Sequence, residues 1–256
     1  MTKEFSLNAN LNRAANEIIF LIVPCFNEER RWDSSYWEQV CSIKNLRICF
    51  VNDGSCDDTS SKISPLLVDS KHELLELTEN VGKAEAIRRG ILHILLTESP
   101  LGVGYLDADG AFPLQDVKNQ ISMFRKFSDL TDNPPAVWSS RVQLAGRAVE
   151  RNIFRHYFAR VIVTLLAVRF NFKIYDTQSG MKVFPYSNTL KECMEETFDT
   201  RWFVDLEIFL RWRIVTGRDM NVWEEPLFGW KDIGESKLSG KQHFTVCKDI
   251  FKLNKY

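Results

Sequence analysis

Three short apolar segments constrain the fold of this chain more than any other feature. Residues 18–23, 46–51 and 103–106 are rich in branched and aromatic side chains. Runs of this kind are typical of strands that are covered on both faces, as in a parallel sheet. Each run ends abruptly in polar residues, so the sequence predicts buried strands whose carboxyl ends open onto a polar edge.

Helical segments separate these strands. The pattern predicts helices at 32–42, from 83 to Gly90, and from Pro113 to about residue 127, with further strands at 74–78 and 136–139. Alternation of strands with helices of about 10–15 residues implies βαβ units and a mostly parallel sheet. We therefore predict an α/β fold, with a flexible leader at 1–17 and a single domain at 18–256.

Composition excludes two classes of protein. Among 256 residues, 33 Lys and Arg nearly balance 34 Asp and Glu, so bulk charge does not indicate a nucleic-acid binder. No apolar run approaches the roughly 20 residues of a membrane-spanning helix. The six cysteines include no Cys-x-x-Cys pair. Several of them fall in predicted strands, which is typical of reduced core residues in a cytosolic protein.

Polar residues follow each of the five predicted strands. They lie at 24–29, 52–55, 79–83, 107–110 and 139–141. Ligands of mostly parallel sheets bind beyond the carboxyl ends of the strands, so this coincidence predicts a ligand crevice.

Two carboxylates, Asp107 and Asp109, stand at the fourth of these strand ends. Taken alone, Asp-x-Asp is more often an acidic surface turn than a metal site. Its position in the row of polar strand ends favours a site for Mg²⁺ or Mn²⁺. These ions prefer carboxylate oxygens, and Mg²⁺ is usually shared with a substrate's phosphates.

Three further side chains at strand ends indicate nucleotide binding. Glu28 and Asp53 could accept hydrogen bonds from the ribose or base of a nucleoside, and Lys83 begins a helix whose amides can meet a phosphate. Each one alone is typical of a helix cap or a solvated charge. The set favours nucleotide binding, although the chain has neither a Gly-x-Gly-x-x-Gly fingerprint nor a P-loop.

The ordered motifs of the chain resemble those of the GT-A-fold inverting glycosyltransferases, and among them the polyprenyl-phosphate branch. The matching segments are 23–29, 51–55, 58–59, 80–84, 107–110, 140–141, 176–184, 201–207 and 234–238. They extend over about residues 18–240. Ala111 after Gly110 is more similar to the dolichyl-phosphate glucosyltransferases than to the mannosyl branch, which typically has Gln at that position.

The resemblance implies that the first half, 18–141, is the nucleotide-sugar-binding half, and it implies roles for several of its matched positions. The residues implied to hold the nucleoside are Pro24, Phe26, Glu28, Val51 and Asp53. Phe26 replaces a Tyr that is common in the family. Asp107 and Asp109, with Ala108 between them, would bind the diphosphate through a divalent metal.

The second half, 142–256, is implied to face the acceptor and a membrane. The residues implied to contact phosphates of donor or acceptor are Arg141, at the end of the first half, and Lys237. Those implied to line the sugar and acceptor side are Asp176, Gln178, Asp205 and Glu207.

Residues 150–172 carry the prediction about the membrane. Arg151 and Arg155 are four residues apart, so on a helix both can face one lipid phosphate. The apolar run 161–168 spans about 12 Å as a helix, against roughly 30 Å for a bilayer core, so the segment cannot cross but can lie in the interface. The alternative is an amphipathic helix on the sheet with its arginines in solvent. The resemblance favours a peripheral protein on the cytoplasmic face of a membrane, and leaves room for a separate membrane-protein partner.

We predict metal-dependent, inverting transfer of a hexose, glucose from UDP-glucose, to a polyprenyl or dolichyl phosphate. An acceptor phosphate is ionised near neutral pH and needs no strong base. A sugar hydroxyl would need one, for which Asp205 is favoured over Glu207. Two alternatives stay open: a soluble glycosyltransferase acting on a lipopolysaccharide or capsule sugar hydroxyl, and a non-catalytic nucleotide-sugar-binding subunit. A sugar-nucleotide pyrophosphorylase is disfavoured, because no Gly-rich, Arg-containing loop follows the first strand.

Overall fold

A mostly parallel seven-stranded sheet organises the protein. The computed structural model describes residues 17–68, 71–150, 153–231 and 248–256, and the side chains of 153–159 lie outside that description. The predicted leader lies outside it too, except for its last residue, Glu17. The described strands are β1 (Ile19–Cys25), β2 (Leu46–Asn52), β3 (Glu73–Glu76), β4 (Gly102–Leu106), β5 (Ala136–Ser140), β6 (Ala148–Glu150), β7 (Met181–Pro185), β8 (Val222–Pro226) and β9 (Gly229–Lys231).

The strand order of the central sheet is β3-β2-β1-β4-β7-β5-β8. Strand β7 runs antiparallel to both of its neighbours, β4 and β5, and the other described pairs of this sheet are parallel. The prediction of a mostly parallel α/β fold is therefore confirmed. Strands β7 and β8 come from the second half of the chain, so the sheet takes strands from both predicted halves. Strands β6 and β9 form a separate two-stranded sheet.

Helices cover both faces of the sheet. They are α1 (Ser34–Cys41), α2 (Thr59–Ile63), α3 (Lys83–Thr97), α4 (Leu114–Leu130), α5 (Ile153–Phe170), α6 (Asn188–Glu195) and α7 (Val204–Thr216). Successive residues of a strand point to opposite faces. In β1, Phe20 and Ile22 pack in the layer that contains α3, whereas Ile19 and Leu21 pack in the layer of α1 and α4. Burial on both faces explains why β1 is apolar throughout.

Helix α3 continues through Gly90 to Thr97, so the prediction that it ends at Gly90 is wrong. A Cβ atom at Gly90 would lie 2.5 Å from Cγ2 of Ile22 and 2.9 Å from Cγ2 of Val51. Glycine inside a helix is destabilising by about 0.5–1 kcal/mol relative to alanine. Here it lets the helix backbone approach β1 and β2 closely. At the amino end of α3, Gly82 and Lys83 contact Asp53 and Asp107, which follow β2 and β4.

Helix α5 has two different apolar faces. Val163, Leu166 and Phe170 are buried in the core, whereas Val161, Leu165 and Val168 are 58%, 66% and 79% exposed. No helix in the described part of the chain combines the length and apolarity needed to cross a bilayer.

Candidate active site

The loops after β1 and β2 are joined by hydrogen bonds. The Asn27 amide donates to Ser55 Oγ (3.0 Å), and the Cys56 amide donates to Asn27 Oδ1 (2.9 Å). The Glu28 amide donates to Thr59 Oγ1 at 2.8 Å, which ties the first loop to the start of α2. The structure thus brings together the first two polar clusters that the sequence identified.

Asp53 fixes the loop that leads into α3. Its buried carboxylate accepts hydrogen bonds from the amides of Val81 (2.7 Å) and Gly82 (2.9 Å) and from Asn80 Nδ2 (3.0 Å). Gly82 has φ +91°, a conformation that side chains rarely adopt. Because both oxygens of Asp53 hold loop donors, its local role is to position residues 80–82. Its hydrogen bond to a nucleoside stays a prediction.

The other residues implied to hold the nucleoside surround this loop pair. Both carboxylate oxygens of the buried Glu28 accept hydrogen bonds from the guanidinium of Arg31, a partner that sequence reasoning missed. Pro24 lies opposite Val51 in the β1–β2 register. Phe26 is 39% exposed, so part of the residue is accessible to a ligand.

Asp107 and Asp109 follow β4 directly, at the centre of the strand-end row. Lys83 Nζ lies 2.6 Å from Asp107 Oδ1, and Asp109 Oδ1 accepts a hydrogen bond from the Ala111 amide (3.0 Å). Burial raises the pKa of Asp109, and the nearby charge of Asp107 adds to this effect. Two carboxylates two residues apart at one strand end offer hard oxygen donors that fit a divalent cation shared with phosphates. Ala108 between them is buried in the core.

A turn at residues 176–180 packs against Asp107 from the second half of the chain. A Cβ atom at Gly180 would lie 2.2 Å from Asp107 Oδ2, and the Asp107 amide donates to the Gly180 carbonyl (2.9 Å). The hydroxyls of Ser179 and Ser139 share a hydrogen bond. Only glycine fits at position 180, because any side chain there would displace the Asp107 carboxylate.

Arg141 and Asp176 form a buried bidentate ion pair. Arg141 Nε lies 2.8 Å from Asp176 Oδ2, and Nη2 lies 2.8 Å from Oδ1. Burial alone would raise the pKa of Asp176, but the Arg141 charge and hydrogen bonds hold it well below its usual range. Glu224, which sequence reasoning missed, accepts hydrogen bonds from the amides of Tyr175 (2.7 Å) and Asp176 (2.8 Å).

Gln178 lies in the same turn. Its amide donates to Asp176 Oδ1 at 3.1 Å. Its side-chain Nε2 is buried and has no hydrogen-bond partner within the described residues, so a donor is left for a ligand. Its predicted role on the sugar side stays a prediction.

Asp205 lies in the first turn of α7 and is almost completely buried. Its Oδ1 accepts a hydrogen bond from the Tyr105 hydroxyl, and its Oδ2 lies 2.9 Å from Lys182 Nζ. Burial raises the pKa of Asp205 and lowers the pKa of Lys182 to about 7, because burial disfavours each charged form. Sequence reasoning missed Lys182, although a lysine inside the apolar strand β7 was a visible signal.

Glu207 points away from Asp205, because residues two positions apart on a helix do not lie on the same face. Its carboxylate accepts hydrogen bonds from the amides of Asp199 and Thr200 (both 2.9 Å) and pairs with Arg211 (2.8 Å). The structure does not bring Glu207 together with the strand-end residues. We propose that Glu207 stabilises the 199–200 loop and does not contact substrate.

Three predicted residues fall outside what the structure describes. Lys237 and Arg151 lie outside the described residues, and Arg155 lies in α5 where side chains are not described. Their predicted contacts with phosphates stay predictions.

Comparison with known proteins identifies relatives for most of the chain. The family model described as Glycosyl transferase family 2 matches residues 20–165. Dolichyl-phosphate beta-glucosyltransferase ALG5A of Trichomonas vaginalis is 29% identical over 252 residues, which cover 93% of this chain and 73% of that protein. Dolichyl-phosphate beta-glucosyltransferase of Saccharomyces cerevisiae is 26% identical, with coverage of 94% and 76%.

A solved structure shares the fold. It is glucosyl-3-phosphoglycerate synthase from Mycobacterium tuberculosis, in complex with Mn²⁺, uridine diphosphate and glucosyl-3-phosphoglycerate. The similarity has a TM-score of 0.64 at 16% identity and covers 93% of this chain and 79% of that one.

Proposed function

Since the chain belongs to glycosyl transferase family 2 and is a glycosyltransferase, we propose that it transfers glucose from UDP-glucose to dolichyl phosphate or a related polyprenyl phosphate, with inversion. The names of the curated relatives support this choice of sugar and acceptor. The donor would lie over the carboxyl ends of β1, β2 and β4. One observation carries the choice of acceptor: among the described residues, the four buried carboxylates of the site that are not assigned to the metal all hold hydrogen-bond donors on both oxygens.

On the donor side, Asp107 and Asp109 would hold a divalent cation, Mg²⁺ or Mn²⁺. When bound, this ion offsets the negative charge of the leaving diphosphate. The described residues contain no group of three or more His, Cys, Asp or Glu placed to hold a metal, so water and nucleotide phosphates would complete the coordination. Lys83, beside Asp107, would contact the same phosphates. The Mn²⁺ and uridine diphosphate of the structurally similar synthase support this arrangement.

As for the acceptor, four buried carboxylates around the site, two on the donor side and two on the acceptor side, already hold hydrogen-bond donors on both oxygens. Glu28 accepts from Arg31, and Asp53 accepts from the 80–82 loop. Asp176 accepts from Arg141, and Asp205 accepts from Tyr105 and pairs with Lys182. A hydroxyl acceptor needs a general base, whereas a phosphate is ionised near neutral pH and attacks the anomeric carbon without one. The arrangement therefore favours a phosphate acceptor over a sugar hydroxyl.

The acceptor can be tested with matched lipids. We expect radiolabelled UDP-glucose with Mn²⁺ to label dolichyl phosphate but not dolichol, which has the same chain without the phosphate. Radiolabelled GDP-mannose should give much less lipid product. Label in an oligosaccharide instead would support the soluble alternative. Binding of UDP-glucose without transfer to any acceptor would support a non-catalytic subunit.

We also propose that the protein is peripheral, on the cytoplasmic face of a membrane. The exposed side chains Val161, Leu165 and Val168 form a stripe along α5, which suits a helix lying in the interface. The described cysteines are free, as is usual in reducing compartments.

Vesicle flotation tests this surface. We expect Leu165→Glu to reduce co-flotation of the protein with vesicles that contain anionic lipid, because a charge on the stripe opposes burial in the interface. Leu130→Glu is the matched control, since Leu130 is 71% exposed at the end of α4. Equal flotation of both variants and the original protein would exclude the α5 stripe as the contact surface.

A further inference from the structure

Lys182 is a fully buried lysine in the central sheet. In the antiparallel register of β7 it lies opposite both Tyr105 of β4 and Trp138 of β5, so the three side chains project from the same face. Its Nζ lies 5.5 Å from the Tyr105 ring centroid and 5.1 Å from that of Trp138, within the range of cation–π attraction. A buried lysine is costly unless it is paired, so the partners of Lys182 decide what it contributes.

The ammonium group of Lys182 connects two elements that lie far apart in sequence. It donates to the carbonyl of Ser179, in the turn that packs against Asp107, and it pairs with Asp205 in the first turn of α7. We propose that Lys182 is a positioning residue for glycosyl transfer, which holds α7 and the 176–180 turn in register with Asp107. This inference rests on the proposed function for its kinetic test.

Lys182 belongs to the acceptor side of the sheet. The proposed donor residues follow β1, β2 and β4 or begin α3, whereas β7, β5 and β8 lie beyond β4 in the strand order. The groups that Lys182 holds are the 176–180 turn, which carries Gln178 and the Asp176–Arg141 pair, and Asp205. Loss of the ammonium group should therefore impair the chemical step more than donor binding.

Lys182→Met tests this prediction, because methionine keeps an unbranched apolar stem and removes the charge. We expect kcat to fall by about 10- to 100-fold, as when reacting groups shift by about 1 Å. The Kd for UDP with Mn²⁺ should change much less than kcat. Lys182→Arg keeps the donors and should recover part of the lost kcat. An unchanged kcat in Lys182→Met, or an equal loss of UDP affinity, would overturn the proposal.

A double-mutant cycle separates positioning from simple core filling. If Lys182 acts through Asp205, then Lys182→Met combined with Asp205→Asn should lose no more kcat than the stronger single variant. Independent, multiplying losses would mean that Lys182 does not act through Asp205. If Lys182→Met does not fold, Asp205→Asn weakens the same contact from the other side, because it removes the negative charge that pairs with Lys182, and it carries the same kcat and Kd expectations in smaller measure.

Hydrogen–deuterium exchange gives a readout that needs no turnover. In Lys182→Met, we expect amides of 176–180 and 204–207 to exchange faster together, with amides of 80–83 unchanged. Unchanged exchange in both segments would refute the inference even if the enzyme acts as proposed. A different outcome separates the two proposals. If the original protein transfers glucose to no acceptor, but both segments exchange faster in Lys182→Met, the proposed function is refuted and the positioning role is supported.

Discussion

Asp109→Asn should abolish glycosyl transfer and leave the protein folded. Asparagine has nearly the same shape, and its Oδ1 can still accept the Ala111 amide. Burial and Asp107 already raise the pKa of Asp109, so removal of its charge costs the fold little. The reaction loses far more, because one of two carboxylates that would hold the cation becomes neutral. Loss of one preorganised electrostatic group typically costs about 10²–10³-fold in kcat, and loss of the cation should cost more.

Three measurements on this variant belong together: transfer to dolichyl phosphate, Mn²⁺ affinity in the presence of UDP, and the thermal unfolding midpoint. We expect transfer and Mn²⁺ affinity to fall sharply, and the unfolding midpoint to stay close to that of the original protein. Asp129→Asn is the matched control, since Asp129 is an exposed carboxylate in α4 with no part in the strand-end row. Full transfer by Asp109→Asn would rule out the proposed metal site.

The first half of the chain could be predicted because its information is local. Strands β1, β2 and β4 are covered on both faces, so they are apolar along their length and end where polar residues begin. Parallel strands bring these ends to one edge, so the positions of Glu28, Asp53 and Asp107 follow from the order of the strands. The predicted end of α3 was wrong because the role of Gly90 is not local. The sequence alone does not distinguish a glycine that permits close packing against a sheet from one that ends a helix.

The partners of the charged residues could not be predicted, because their contacts are long-range. Arg141 and Asp176 are 35 residues apart, and Tyr105 and Asp205 are 100 apart. In the sequence such residues are indistinguishable from solvated charges. Insertion of the antiparallel strand β7 between β4 and β5 brings Lys182 and the 176–180 turn into the site. No short sequence pattern indicates that β7 lies between β4 and β5.

Arg141→Met should destabilise the protein strongly, and in a way that depends on pH. It leaves the Asp176 carboxylate buried without its bidentate partner, and loss of one member of a buried ion pair costs about 3–5 kcal/mol. Arg47→Met is the matched control. Arg47 and Glu98 are 4.0 Å apart and partly exposed, and an exposed pair contributes about 0–1 kcal/mol.

The direction of the pH dependence follows from Asp176. In the original protein Arg141 lowers the pKa of Asp176 below the value of about 3.9 in an unfolded chain. The pair therefore contributes its full stability above that pH, and the contribution is lost as pH falls through the native pKa. In Arg141→Met, burial without the arginine should raise the pKa of Asp176 above the unfolded value, so the variant loses stability as pH rises.

Urea unfolding at several pH values tests this direction. The difference in unfolding free energy between the original protein and Arg141→Met should be largest near neutral pH and smaller near pH ~4. A difference that is equal at both pH values, or no larger than that of Arg47→Met, would mean that Arg141 does not hold the charge of Asp176.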